Sequence, residues 1–186
     1  MMRNRGYLVL DGNWLNSAFR WLYSELPMHQ PIALLMHTDY HGLAEKGPIL
    51  IQADPDSEVD QLWQASNSPI GHAVWLETSM DPHMMTNFMR ARLQVLGPAG
   101  ARHWLRLGDS RPLLNAYSHN VRWPELFWQG IDAVWLKADH SLTKAWEGQG
   151  EAAPIMINKS EKIQPYFSLD SGMLRALALM DKELEA

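Results

Sequence analysis

Two histidines and an aspartate alternate in His37-Thr38-Asp39-Tyr40-His41, the segment whose residue types come nearest to metal chemistry. On a strand continuing from Met36, His37, Asp39 and His41 would share one face. Two imidazoles and a carboxylate placed there would hold zinc or iron and support a metal-dependent hydrolase. The same residues at a polar strand end entering a loop would do no such chemistry. No general base is recognisable downstream.

A second constellation is Asp109-Ser110-Arg111, which follows one apolar run and opens another. With Asp11, at the end of the first apolar run, it would place two carboxylates and an arginine at one sheet edge. That set suits a phosphate, a metal or a small anionic ligand held by an α/β binding module. It equally suits a turn in which Asp109 caps a helix and pairs with Arg111. No nucleotide-binding glycine loop and no Gly-x-Ser-x-Gly elbow occurs. No catalytic, cofactor-binding or metal-ligating residue is therefore assigned.

Charge is unevenly distributed. Between residues 90 and 122 there are six arginines (Arg90, Arg92, Arg102, Arg106, Arg111 and Arg122) and one acid, Asp109, within a chain of net charge −5. Such a stretch docks an acidic partner and speeds its association, or forms a solvated face whose acids come from elsewhere. The overall negative charge argues against nucleic acid. The chain has no cysteine, which removes disulfides and thiolate chemistry. Nine tryptophans and eleven methionines supply large, adaptable apolar surface, for the core or for interfaces. The apolar run Tyr7–Leu10 is too short for a signal core, and no run approaches a membrane span. A soluble, cytoplasmic protein without membrane contact is expected.

The elements that must carry these residues alternate. Strands are expected at Tyr7–Leu10, Ile32–Met36, Pro48–Ile51, Ala73–Leu76, His103–Leu107 and Ile131–Leu136. Helices are expected at Asn13–Glu25, after a Ser57/Asp60 capping box, from Pro82 to Leu96, from Ser110, and from about Asp170. Alternation with continuous apolar strands predicts an α/β fold with a mixed or largely parallel sheet and flanking helices. Residues 1–140 form that domain. Residues 141–186 form a linker and a smaller C-terminal helical extension that packs on it or docks a partner, with Met173, Leu177, Met180 and Leu184 on one face.

Four ordered signposts run through the first part: Tyr7 to Asp11-Gly12; Tyr40, Leu43, Gly47 and Pro48; the strand ending Trp75-Leu76-Glu77-Thr78-Ser79; and Asp109-x-Arg111. In this order and spacing they resemble the type VI secretion effector-chaperone, or adaptor, family, long catalogued only as a domain of unknown function. The likeness runs from about Tyr7 to Leu136. It departs at Leu107-Gly108-Asp109-Ser110-Arg111-Pro112, where the family's aromatic and intervening proline are missing.

The resemblance implies a protein without enzymatic activity. Similar proteins bind a toxic effector and the tip protein of a secretion spike, with a small tip-sharpening protein between them in some cases. The signature residues Tyr7, Asp11, Gly12, Tyr40, Leu43, Gly47, Pro48, Asp109 and Arg111 are expected to be structural. Partner contacts are expected at Arg90, Arg92, Arg102, Arg106, Arg122, Trp123, Trp128, Met173, Leu177 and Met180.

Overall fold

The first apolar run forms β1, Gly6–Asp11, buried at every position but its last. The computed structural model describes residues 3–138, 141–148 and 157–178. β1 lies between β3 (Pro48–Ala53) and β4 (Val74–Glu77). With β2 (Ile32–Ala33), β7 (Ala133–Ala138) and β8 (Ser141–Glu147) they make a six-stranded sheet of order β2-β3-β1-β4-β7-β8. Every pairing in it is antiparallel. A second, mixed sheet joins β5 (Gln94–Leu96) antiparallel to β6 (Arg102–Trp104) and parallel to β9 (Phe167–Ser168).

The expectation of a mixed or largely parallel main sheet is therefore corrected. Its premise was that continuous apolar strands alternating with helices pair in parallel. These strands are apolar because both faces are covered, whichever way they run. Tyr7, Val9, Leu50, Val74 and Leu136 point to one core, and Leu8, Leu10, Ile49, Ile51 and Trp75 to the other. The second core is covered by α1 (Ala18–Glu25) through Ala18 and Leu22, and by α2 (Glu58–Gln64) through Val59 and Trp63. The first is covered by α3 (Pro82–Arg90), α4 (Ser110–Ser118), α5 (Ser171–Leu177) and the small sheet.

Local signals set most element starts. Ser57, Asp81, Asp109 and Asp170 each accept a backbone N–H as N-caps of α2, α3, α4 and α5. At α2 the carboxylate of Asp60 does not close the expected box on Ser57. It accepts the N–H of Asp56 and pairs with Arg3 at 2.6 Å. The C-terminal end of α2 is tied by the buried Lys137, whose Nζ donates to the carbonyls of Trp63, Gln64 and Ala65.

Several boundaries differ from expectation. The helix expected through Leu96 stops at Arg90, and Gln94–Leu96 is strand β5. Leu93 and Val95 are still fully buried, so their apolar spacing served a turn and a strand. The strand expected at Ile32–Met36 ends at Ala33, and residues 34–47 form consecutive turns. The helix expected from Asn13 begins only at Ala18, after a single turn of 3-10 helix at Gly12–Trp14.

The main sheet also continues past residue 140, since β8 hairpins back onto β7. α5 lies against α4: Met173 is buried in the core, and Asn115 Nδ2 donates to the carbonyl of Ala176 at 2.6 Å. Met180 and Leu184 lie outside the described residues.

Candidate functional site

Signature residues far apart in sequence meet where β1 ends. Asp11 N–H donates to the carbonyl of Gly108, and Gly12 N–H to that of Gly47. A Cβ on Gly12 would collide with the carbonyl oxygen of Glu45, and one on Gly108 would overlap the backbone at Leu10–Asp11. Only glycine lets these three chain segments approach so closely. Gly12→Ala is therefore expected to cost about 1–3 kcal/mol, because backbone rather than a side chain must give way. Urea denaturation measures this, and an unchanged midpoint would refute the steric reading.

Above this junction sits an ionic cluster. The carboxylate of Asp109 is fully buried and accepts from Arg111 Nε at 3.0 Å and Nη2 at 2.8 Å, as well as from the Arg111 backbone N–H. Arg106 bridges Asp11 and Asp109, at 3.1 Å to each. Burial alone would raise the carboxyl pKa of Asp109, but the hydrogen bonds and charge of Arg111, with Arg106 beside it, hold it below its ordinary value. Both guanidinium groups lie over the ring of the half-exposed Trp14, Arg111 at 4.2 Å and Arg106 at 5.6 Å. The carboxylates are thus taken up by arginines of the chain itself, as the helix-cap alternative for Asp109 and Arg111 requires.

Beside the cluster opens a groove of about 270 Å³, lined by Leu35, Leu43, Pro48, Trp104 and Leu107, with Lys46 and Arg106 on its rim. Leu43 is 53% exposed and Trp104 46%, so both offer apolar surface to solvent. Tyr40 meets Trp104 edge to face at 4.8 Å, and its hydroxyl accepts from Gln94 Nε2. Met36 extends the apolar surface nearby in sequence, also exposed. Of the signature, Tyr7 stays in the core with its hydroxyl on the carbonyl of Met80. Tyr40, Leu43, Gly47 and Pro48 build this groove or its wall.

His37, Asp39 and His41 do not share a strand face, because the strand ends before them. Each is exposed on the turns, and His37 has a positive φ of 58°. Among the described residues no group of three or more His, Asp or Glu is arranged to hold a metal ion.

The expected partner-binding arginines are dispersed. Arg92 is withdrawn from any surface: it is completely buried, donates to the carbonyls of Phe88, Leu126 and Phe127, and lies 3.4 Å over the Phe88 ring. Arg90 holds the 34–36 turn through the carbonyls of Leu34 and Met36. Arg106 belongs to the ionic cluster. Arg102 and Arg122 are exposed. Trp128 and Met173 are buried, Trp123 and Leu177 partly so.

Sequence reasoning missed Trp104 and Lys46 at the groove and Trp14 under the arginines of the ionic cluster. Trp104 carried one available signal, an aromatic beside two polar residues in a three-residue edge strand.

Fold and site together define an α/β protein built on an antiparallel sheet, with an aromatic-walled groove at the end of its central strand. The chain belongs to the family described as Domain of unknown function (DUF4123), which matches residues 6–123. That span contains β1 to α4 and every residue of the groove; β7, β8, β9 and α5 lie outside it. None of the curated proteins or solved structures compared matches the chain. No helix among the described residues is long and apolar enough to cross a membrane.

Proposed function

We propose that this protein is a non-catalytic, cytoplasmic adaptor that binds a toxic effector and hands it to the tip protein of a type VI secretion spike. One observation carries the reading. Tyr40, Leu43, Gly47 and Pro48 of the adaptor signature shape one exposed apolar groove, and the ionic groups beside it neutralise each other. A catalytic pocket keeps titratable groups available at its reacting centre. Here Asp11, Arg106, Asp109 and Arg111 brace a surface instead. The groove lies within the family-matched region, so it is assigned to the shared partner, the spike protein, with or without a small tip-sharpening protein.

The test is co-purification with the spike and effector proteins encoded beside this gene. Leu43→Asp combined with Trp104→Ala is expected to lose spike binding. Its melting temperature should stay within about 2 °C, because both side chains are half exposed and little buried area is lost. Undiminished capture of the spike protein by the double variant would reject the groove. Absence of any complex between the wild-type chain and either neighbour would reject the adaptor reading.

A further inference from the structure

A second built site lies at the opposite, C-terminal side of the chain's order, around Arg122. Three depressions meet there. One of about 290 Å³ is lined by Trp123, Phe127, Trp128 and Trp146. One of about 480 Å³ runs past Gly97, Leu169 and Met173. One of about 690 Å³ lies between His119 and Arg175. Arg122 lines all three.

The tryptophans there differ from those of the core. Trp63, Trp75 and Trp135 each place the indole N–H on an acceptor: the carbonyls of Ala73 and Asn4, and the carboxylate of Glu77. Trp123 and Trp128 bury their indole nitrogens and have no acceptor among the described residues. Trp128 is 6% exposed. A buried donor without a partner costs about 1–3 kcal/mol, so two side by side at a cavity are a standing demand for an acceptor. Ring packing holds them in place: Trp128 stacks on Trp146 at 6.1 Å, and Trp123 meets both edge on, at 5.2 and 5.5 Å.

The charges facing this region favour an anionic acceptor. Arg122 and Arg175 are exposed, and neither has an ion pair among the described residues. His119 lies beside them, its ring on the carbonyl of Asn115. The carboxylates present are engaged: Glu147 with Lys144, and Asp170 as the N-cap of α5.

We infer that the Arg122 cleft and its tryptophan cavity bind an acidic, apolar-anchored peptide segment of a partner protein. A carboxylate of the segment is taken by Arg122 and the indole N–H groups. An apolar side chain enters against Phe127 and Met173. The site straddles the end of the family-matched residues: His119, Arg122 and Trp123 lie within them, and Phe127, Trp128, Trp146, Met173 and Arg175 beyond them. It rests on the adaptor reading for the partner's identity, which is then the effector; the recognition chemistry stands on the cleft.

The test needs neither neighbour protein. A capped peptide of alternating glutamate and leucine is titrated into the full chain, with its glutamine counterpart as control. Indole N–H resonances are followed by two-dimensional NMR, and affinity by fluorescence polarisation. The Trp123 and Trp128 signals are expected to shift with the glutamate peptide and not with the control. Arg122→Glu is expected to abolish the shift.

Trp128→Phe removes an unpartnered donor and keeps most of the ring. The free protein should melt no lower, while peptide affinity falls about tenfold or more. Indole signals unmoved by the glutamate peptide would overturn the site, as would equal binding of both peptides or an Arg122→Glu variant of unchanged affinity. Shifts produced by acetate alone and not by the peptide would also overturn it. Should Trp128→Phe fail to fold, the wild-type indole shifts decide. Peptide binding without capture of the spike protein would leave this site standing and remove the adaptor reading. Spike capture without peptide binding would do the reverse.

Discussion

Replacing Arg92 by alanine is expected to destabilise the protein by about 3–5 kcal/mol, the largest loss from any single charged residue here. The guanidinium is wholly enclosed, and its contacts include three carbonyls and three rings. Burial lowers its pKa to about 9, so it stays charged at neutral pH and depends on those contacts for its solvation. Alanine would leave a cavity and strand the carbonyl of Phe127, through which Arg92 holds the 124–130 turns against α3. Lysine, with one compact charge in place of a planar fork, should recover only part of the loss. Chemical denaturation of Arg92→Ala and Arg92→Lys measures both. A loss below about 1 kcal/mol for alanine would mean that the guanidinium is not what binds α3 to those turns.

Asp109→Ala is expected to cost about 3 kcal/mol and to disorganise the groove. It removes three hydrogen bonds from Arg111 and the bridge from Arg106, leaving two arginines without their buried counter-charge. The sign of the pH effect follows from the lowered pKa. Near and above the ordinary value of 3.8 the unfolded chain holds at least as many protons on this group as the folded one. The stability Asp109 confers is therefore complete above about 3.8 and is lost as the pH falls through the lower, folded value. Wild-type and Asp109→Ala stability curves should converge on acidification below that point. Curves that stay parallel down to pH 2 would show that the Asp109 carboxylate is not the linked group. Because Arg106 and Arg111 also lie over Trp14, its fluorescence should change in the variant even where the fold persists.

Short-range physics was legible in the chain. The run Tyr7–Leu10, the turn at Asp11-Gly12, the caps at Ser57 and Asp81, and the Asp109–Arg111 pair all depend on neighbours within a few residues. All appear where the sequence places them. The apolar spacing from Met85 to Leu96 was legible only as burial. Helix and strand both satisfy it until β6 and β9 arrive to pair with Gln94–Leu96.

Three things were decided by the tertiary structure alone. Strand direction is one: a strand covered on both faces is apolar whether its neighbours run with it or against it. The fate of each arginine is another, since Arg92 and Arg102 look alike in sequence. One ends inside a ring of aromatics and the other in water. The third is the pairing of Gly12 with Gly47 and of Asp11 with Gly108, which builds a groove from segments up to about a hundred residues apart. Local propensities act over one or two turns of chain. Which distant surfaces close on one another depends on the summed burial of the whole chain, and no stretch of sequence carries that sum.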